Sequence, residues 1–448
     1  MPLPRSRWTP IGKTTVILAA IVLACNGDNS TDPPDPLDVR VFPAEVFAGG
    51  EVFLAGEWYR ENSPLPQFTL DTFTLSVRRV DDSTVAVTVP STLNGPGELF
   101  EEVASAPLSR GTVTIHGISA SASIPLPVQT IITRSWWQGF PYVATGDSAG
   151  VSIINFRTNT ATRYEGIGTF GTGRSSCPRA VGPTYLTDMF LLWTPGGILQ
   201  GMDRWSLVPD TVHQGHVNLL GCSVAELSPG VFVFGDQMRV FLDSIDVNGN
   251  YTPFYMDTVV QADRFYPSPI RNRLAMNGFD QTGIPVLDLV TRSLAYKVPS
   301  VPHVTDAAFS SEGSRLYLSG QSHDAHANVI VRLDATTGDS LAARAFDQVS
   351  VIATDPRSFL PVPLLYVSIA ERDPLTDELV PFILVLDQIT LQTIGRIQLP
   401  SNTCNRCEET VLVVDDDIST PNLVLVYPDL SGVGVIHLSL LPVVFPPD

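Results

Sequence analysis

The feature that most constrains this chain is a recurring order of four short strands, with a period near 45 residues, over its last two thirds. Runs of four to eight β-branched, aromatic and aliphatic residues are bounded by turn residues, as in Arg315-Leu-Tyr-Leu-Ser319, Val329-Ile-Val-Arg-Leu333 and Phe382-Ile-Leu-Val-Leu386. Helical periodicity is nearly absent. A repeat of that length, one four-stranded sheet per unit, is the pattern of a β-propeller. Third-strand candidates centre near Ile153, Leu199, Val240, Val286, Val331, Leu384 and Val435, which gives about seven units, with six or eight blades left open. The first and last strands of such a ring are expected to pair in one blade and so remove the exposed sheet edges.

The clearest unit runs Asp306-Ala-Ala-Phe-Ser-Ser-Glu-Gly-Ser-Arg-Leu-Tyr-Leu-Ser319, then Asn328-Val-Ile-Val-Arg-Leu-Asp-Ala-Thr-Thr-Gly-Asp339. It resembles the YVTN-type and quinoprotein-like propeller repeats, with their Glu-Gly turn, aliphatic-Tyr strand and Asp-xx-Thr-Gly. Weaker copies lie at Tyr142–Gly146 with 151–156, at 273–276 with 286–289, and at 365–369 with 383–387.

Ahead of the repeats, several short strands over residues 38–128 suit an immunoglobulin-like β-sandwich. Pro43, Gly49-Gly50, Gly56 and Val89-Pro90 fall in an order that resembles the IPT/TIG domain, which implies a spacer or interaction module. The expected chain is thus all-β: a sandwich over 38–128, then a propeller over 129–448.

The first 24 residues read as an export signal. Arg5, Arg7 and Lys13 precede the nine-residue apolar run Val16-Ile-Leu-Ala-Ala-Ile-Val-Leu-Ala24, too short to span a bilayer as a helix. Val22-Leu23-Ala24-Cys25 resembles the bacterial lipobox, which implies diacylglycerol on the Cys25 thiol and a membrane partner for the chain. Asn26 follows, where an Asp would resemble an inner-membrane retention signal, so outer-membrane placement in the cell envelope is favoured. Residues 25–37, rich in Asp and Pro, form the lipidated start and a solvated tether.

The formal net charge is −19, and removal of residues 1–24 takes away three positive charges and no negative one. Such a surface repels phosphate backbones, so nucleic-acid binding is disfavoured. After cleavage Lys297 is the only lysine, which removes Schiff-base and P-loop chemistry.

Cys177, Cys222, Cys404 and Cys407 are an even set in an exported chain and are read as disulfide candidates, with three pairings open. Cys404-Asn-Arg-Cys407 has no second CxxC and no following His, so zinc and haem are unsupported. His213-Gln-Gly-His216, His303 and His323-Asp-Ala-His326 map, with Cys177, Cys222 and Cys404, to the propeller face that usually binds ligands. The histidines are ligand-face candidates beside the plainer reading of exposed loop histidines. Asp246-Val-Asn-Gly-Asn250 with Asp257 superficially resembles a calcium loop, but Tyr251 stands where glycine is usual, and Asn248-Gly249 reads better as a hairpin turn. Asp415-Asp-Asp417 reads as an acidic loop at a blade edge.

No nucleophile elbow, zinc-protease helix or phosphate loop is present. The expected role is a binding or scaffolding lipoprotein whose propeller face contacts a protein, glycan or small ligand, with no catalytic residue, metal or cofactor assigned. The alternative is a lactonase-like or quinoprotein-like enzyme with a metal or quinone near the central channel. Replacing Cys25 by Ala is expected to move the protein from the membrane to the soluble fraction, with loss of acyl label, on cell fractionation.

Overall fold

The computed structural model describes residues 39–59, 64–103, 106–126, 130–131, 142–146, 150–165, 181–183, 189–193, 198–203, 209–214, 223–228, 231–235, 240–245, 251–257, 264–270, 272–277, 284–298, 301, 303–321, 328–357, 363–373, 375–404, 410–415, 422–429 and 432–440. Among these the chain is all-β, interrupted by two short 3-10 turns at Glu57–Tyr59 and Ser401–Cys404.

Two sheets form the N-terminal unit. One orders Arg40–Phe42, Glu51–Ala55, Thr84–Thr88 and Ser76–Arg79. The other orders Glu45–Phe47, Ala106–His116, Gly95–Val103, Gln67–Leu70 and Phe73–Thr74, and its first pair is parallel. Alternating residues of both sheets, among them Val52, Leu54, Phe68, Leu70, Val87 and Leu99, meet in one buried cluster.

Seven further four-stranded sheets follow, here numbered 1 to 7. Sheets 1 to 6 are consecutive antiparallel meanders over 130–165, 181–214, 223–257, 264–298, 303–346 and 348–398. Sheet 7 joins Val411–Asp415, Asn422–Asp429 and Gly432–Ser439 to the distant strand Ile118–Pro125. That closing strand lies within the segment 38–128 assigned to the first module, yet its partner is Gly432–Ser439. Each of the seven expected third-strand centres, Ile153 to Val435, falls on the third strand of its sheet.

The first strands of sheets 2 to 7 lie one against the next, and sheet 7 meets sheet 1 through Asn422–Asp429 and Thr130–Ile131. Shared apolar clusters fill the gaps between sheets 4 and 5, 5 and 6, and 7 and 1.

A five-residue turn recurs between third and fourth strands. An Asp or Asn opens it, and its side-chain oxygen accepts two backbone N–H bonds. Asp288 accepts from Val290 at 2.8 Å and Thr291 at 2.9 Å, and Asp334 from Thr336 at 2.8 Å and Thr337 at 3.3 Å. Asp387 and Asn155 do the same. Four positions on, the backbone is left-handed: Asn159 (φ 55°), Arg292 (56°), Gly338 (80°) and Leu391 (58°). The turn N–H groups, those of Thr291 and Thr336 foremost, hold Asp288 and Asp334 below the ordinary carboxylate range. Side chains of the preceding sheet grip these turns: Tyr296 Oη donates to Ala335 O at 2.9 Å, and Arg344 Nη1 to Leu391 O at 2.6 Å.

The N-terminal unit is docked rather than tethered. Its core cluster continues into sheets 6 and 7 through residues such as Tyr366, Ile383, Ile397, Leu425 and Ile436. Main-chain bonds reinforce the contact: Arg396 N–H donates to Ala48 O at 2.8 Å, and Gln398 N–H to Ser91 O at 3.0 Å. A side chain on Gly395 would meet Phe47 Cβ at 2.4 Å, and one on Gly49 would meet Arg396 O at 2.3 Å. Only Gly117 separates strand Ala106–His116 from the closing strand. Its N–H donates to Asn94 Oδ1 at 2.9 Å, and its carbonyl accepts Ser439 N–H at 2.9 Å.

Gly395→Val is therefore expected to overpack this contact, costing about 1–3 kcal/mol, and to make the N-terminal unit sensitive to limited proteolysis at moderate temperature.

Candidate functional site

In an up-and-down sheet, the start of the first strand, the end of the second, the start of the third and the end of the fourth share one end. Of the histidine and cysteine candidates, the topology brings the described ones, His213, His303 and Cys404, to that end. His303 begins the first strand of sheet 5 and pairs with Gln321, which pairs in turn with Asn328. Gln321 and Asn328 flank residues 322–327, so His303 stands at the same sheet end as the connection that carries His323 and His326. His213 lies near the end of the fourth strand of sheet 2, opposite Leu199. Cys404 closes the 3-10 turn between sheets 6 and 7. Cys25, Cys177, Cys222, Cys407, His216, His323 and His326 lie outside the described residues.

Around His303 the described polar groups serve the fold. Asn277 Nδ2 donates to Val304 O at 2.7 Å, Thr305 Oγ1 lies 2.9 Å from Ser319 Oγ, and Asp306 Oδ2 accepts Ile352 N–H at 2.9 Å. The first ties the second strand of sheet 4 to the first strand of sheet 5, the second lies within sheet 5, and the third joins the first strands of sheets 5 and 6.

The calcium-loop resemblance is overturned. Val240–Ile245 and Tyr251–Asp257 form a hairpin with Ile245 opposite Tyr251, while Asp257 pairs with Val240 at its far end. The length of a seven-residue strand, at ~3.4 Å per residue, separates Asp257 from Tyr251; residues 246–250 lie outside the described residues. The hairpin reading of Asn248-Gly249 accords with this pairing. Among the described residues no group of three His, Cys, Asp or Glu is placed to hold a metal ion.

The opposite end of the sheets carries ion pairs that no local motif announces. Asp355 follows the first strand of sheet 6 and is 2% exposed. Arg357 Nε and Nη2 donate to its two oxygens at 2.8 and 2.6 Å, and Tyr366 Oη donates at 2.8 Å. Burial, with the Asp355 charge next, keeps the Tyr366 phenol protonated well above its usual range. The N-terminal unit repeats the arrangement: Glu101 accepts from Tyr59 Oη at 2.8 Å and Arg110 Nε at 2.7 Å, all three shielded from solvent. Burial likewise raises the Tyr59 pKa. A buried carboxylate held by two donors is stable only while both remain, so these triads fix the chain and leave no base free for proton transfer.

Asp415 occupies the matching place in sheet 7. The acidic-loop reading is corrected for this residue: it ends strand Val411–Asp415, is 3% exposed, and accepts Arg157 Nε at 2.8 Å and Nη2 at 2.5 Å. Asp416 and Asp417 lie outside the described residues. Sequence reasoning missed all three clusters: Arg157 and Asp415 are 258 positions apart and only the fold unites them, and nothing local marks Asp355 or Glu101 as buried. No protein-family model matches the chain, and no curated protein matches it.

Arg357→Met would strand Asp355 in the core and is expected to cost about 3–5 kcal/mol. Tyr366→Phe removes one donor and should cost about 1–3 kcal/mol. Urea midpoints at unchanged slope check both values.

Proposed function

We propose that this chain is an extracytoplasmic lipoprotein, anchored through Cys25, that binds or scaffolds rather than catalyses. In this reading the two N-terminal sheets are an immunoglobulin-like sandwich, and the seven following sheets are the blades of a propeller closed by strand Ile118–Pro125. The observation that carries it is the continuous core between the N-terminal unit and sheets 6 and 7, with main-chain bonds and the single residue Gly117 between strands. A unit joined in this way moves with the sheets as one body at the end of the 25–37 tether. That suits a module displayed near a surface.

The polar groups described at the triad end are engaged in the fold. The other end, where His213 and His303 stand, is left as the contact face for a protein, glycan or small ligand, and His216, His323 and His326 are proposed to belong to it. Outer-membrane attachment follows from Asn26 after the lipidated cysteine, on the resemblance described above.

The test is binding of detergent-solubilised full-length protein to separated envelope fractions: glycan, peptidoglycan and outer-membrane protein. Saturable binding to one fraction, lost on joint replacement of the five histidines by Ala with the melting temperature unchanged, is expected. Binding indifferent to those replacements, or turnover of an envelope substrate by the same preparation, overturns the proposal.

A further inference from the structure

Sheet 6 differs from its neighbour at the end where His213 and His303 stand. In sheet 5 the strands finish level there: His303 pairs with Gln321, and Asn328 with Phe346. In sheet 6 the pairing of the first strand reaches Ala370, and that of the fourth reaches Phe382. The two middle strands run on before they turn, pairing Glu371 with Val380 and Arg372 with Leu379. Two residue pairs, ~7 Å at ~3.4 Å each, and the turn itself therefore stand clear of both flanking strands.

The turn repeats, at the opposite end of the sheet, the five-residue arrangement found between third and fourth strands. Asp373 Oδ1 accepts Leu375 N–H at 2.7 Å and Thr376 N–H at 3.2 Å, and Asp377 is left-handed (φ 59°). Asp377 N–H donates to Asp373 O at 2.9 Å, and Asp373 N–H to Glu378 O at 2.8 Å. Arg372 Nη1 lies 3.1 Å from Asp377 Oδ1. At the base of the hairpin, Arg396 Nη2 donates to Glu371 Oε2 at 2.6 Å, and its guanidinium sits 3.9 Å from the centre of the Phe382 ring. The same Arg396 bonds the N-terminal unit through its N–H, so the hairpin rises from the docked contact.

What the turn presents is a leucine. Leu375 is 93% exposed, and among the described residues no large apolar side chain is more so; Leu379, four positions on, is 45% exposed. A lone exposed leucine on a flat surface is ordinary. This one is held out on a turn already shaped by its own bonds, so a partner would spend little in ordering it. Charge surrounds it: Asp377 and Glu378 are exposed, and residues 371–379 carry four acidic side chains against one arginine. Such a rim repels phosphate headgroups and complements arginine or lysine.

We infer that hairpin 371–379 is the part of the contact face that docks a partner protein, with Leu375 entering an apolar pocket edged by arginine or lysine. The inference rests on the contact-face reading above and narrows its ligand to a protein.

Full-length protein in detergent, offered to three immobilised probes, tests this: the outer-membrane protein fraction, peptidoglycan, and vesicles of phosphatidylethanolamine with phosphatidylglycerol. Binding to the protein fraction is expected, with Leu375→Ala weakening it about tenfold or more. Glu378→Lys should weaken it as well, by less as salt is raised. Ile389→Ala removes an exposed apolar side chain from the same place in the turn at the other end of sheet 6 and should change nothing. All three variants alter exposed side chains and should keep the wild-type melting temperature. Wild-type affinity in Leu375→Ala, or an equal loss in Ile389→Ala, overturns the inference. Leu375-dependent binding to the vesicles or to peptidoglycan instead of the protein fraction overturns the protein partner. Binding that ignores Leu375 but falls with the five histidine replacements refutes the hairpin and leaves the contact-face reading standing, whereas binding to none of the probes refutes both.

Discussion

Backbone pairing between Ile118–Pro125 and Gly432–Ser439 is the constraint on which the remaining architecture rests. An open row of four-stranded sheets would leave its terminal sheet one strand short, with unpaired N–H and C=O groups along an edge. Here the missing strand comes from ahead of the whole array, and residues from Ala120 to Pro125 pair with those from His437 back to Gly432. The burial of this strand is slight, with Ile124 its one fully buried residue. Main-chain hydrogen bonds therefore hold it more than apolar surface does. Because the strand begins immediately after Gly117, its position also fixes that of the N-terminal unit, whose core merges with sheets 6 and 7.

Polar interactions supply the specificity that apolar packing lacks. Valine, leucine and isoleucine clusters between neighbouring sheets are chemically alike and would tolerate sliding. Bonds such as Arg157 to Asp415, Arg344 to Leu391 and Asp306 to Ile352 each join a particular pair of sheets and are satisfied in one register. The two buried tyrosine–carboxylate–arginine triads play the same part within sheet 6 and within the N-terminal unit. Removing one donor from either exposes the cost of a buried charge, while the intact set contributes mainly uniqueness of structure.

How much could be read beforehand follows the same division. Strands were legible because Val, Ile, Leu and Tyr alternate with turn residues, and the third strand of every sheet was located from pattern alone. The turn signature was visible in one copy, Asp334 to Gly338, since among the described copies only there does glycine fill the left-handed position. Asn159, Arg292 and Leu391 adopt the same backbone in the other copies, which hid the repeat. The closing strand was concealed by its composition, Ile-Ser-Ala-Ser-Ala-Ser-Ile-Pro, which carries little apolar periodicity. Of the candidate site, the sheet end shared by His213 and His303 could be inferred from strand order. Asp355, Arg357 and Tyr366 could not, because nothing local marks Asp355 as buried or Tyr366 as its donor.

The closing strand has a further consequence for the order in which the molecule is made. Ser119 and His437, which share a hydrogen bond, are 318 positions apart. During synthesis from the N-terminus, the strand leaves the ribosome long before its partner exists. For that interval it is an unpaired edge in a partly folded chain, the situation in which strands recruit wrong partners. Its alternating serine and alanine, poor in adhesive side chains, suit a segment that must wait. Enriching it in valine or isoleucine would strengthen the finished sheet and endanger the nascent one.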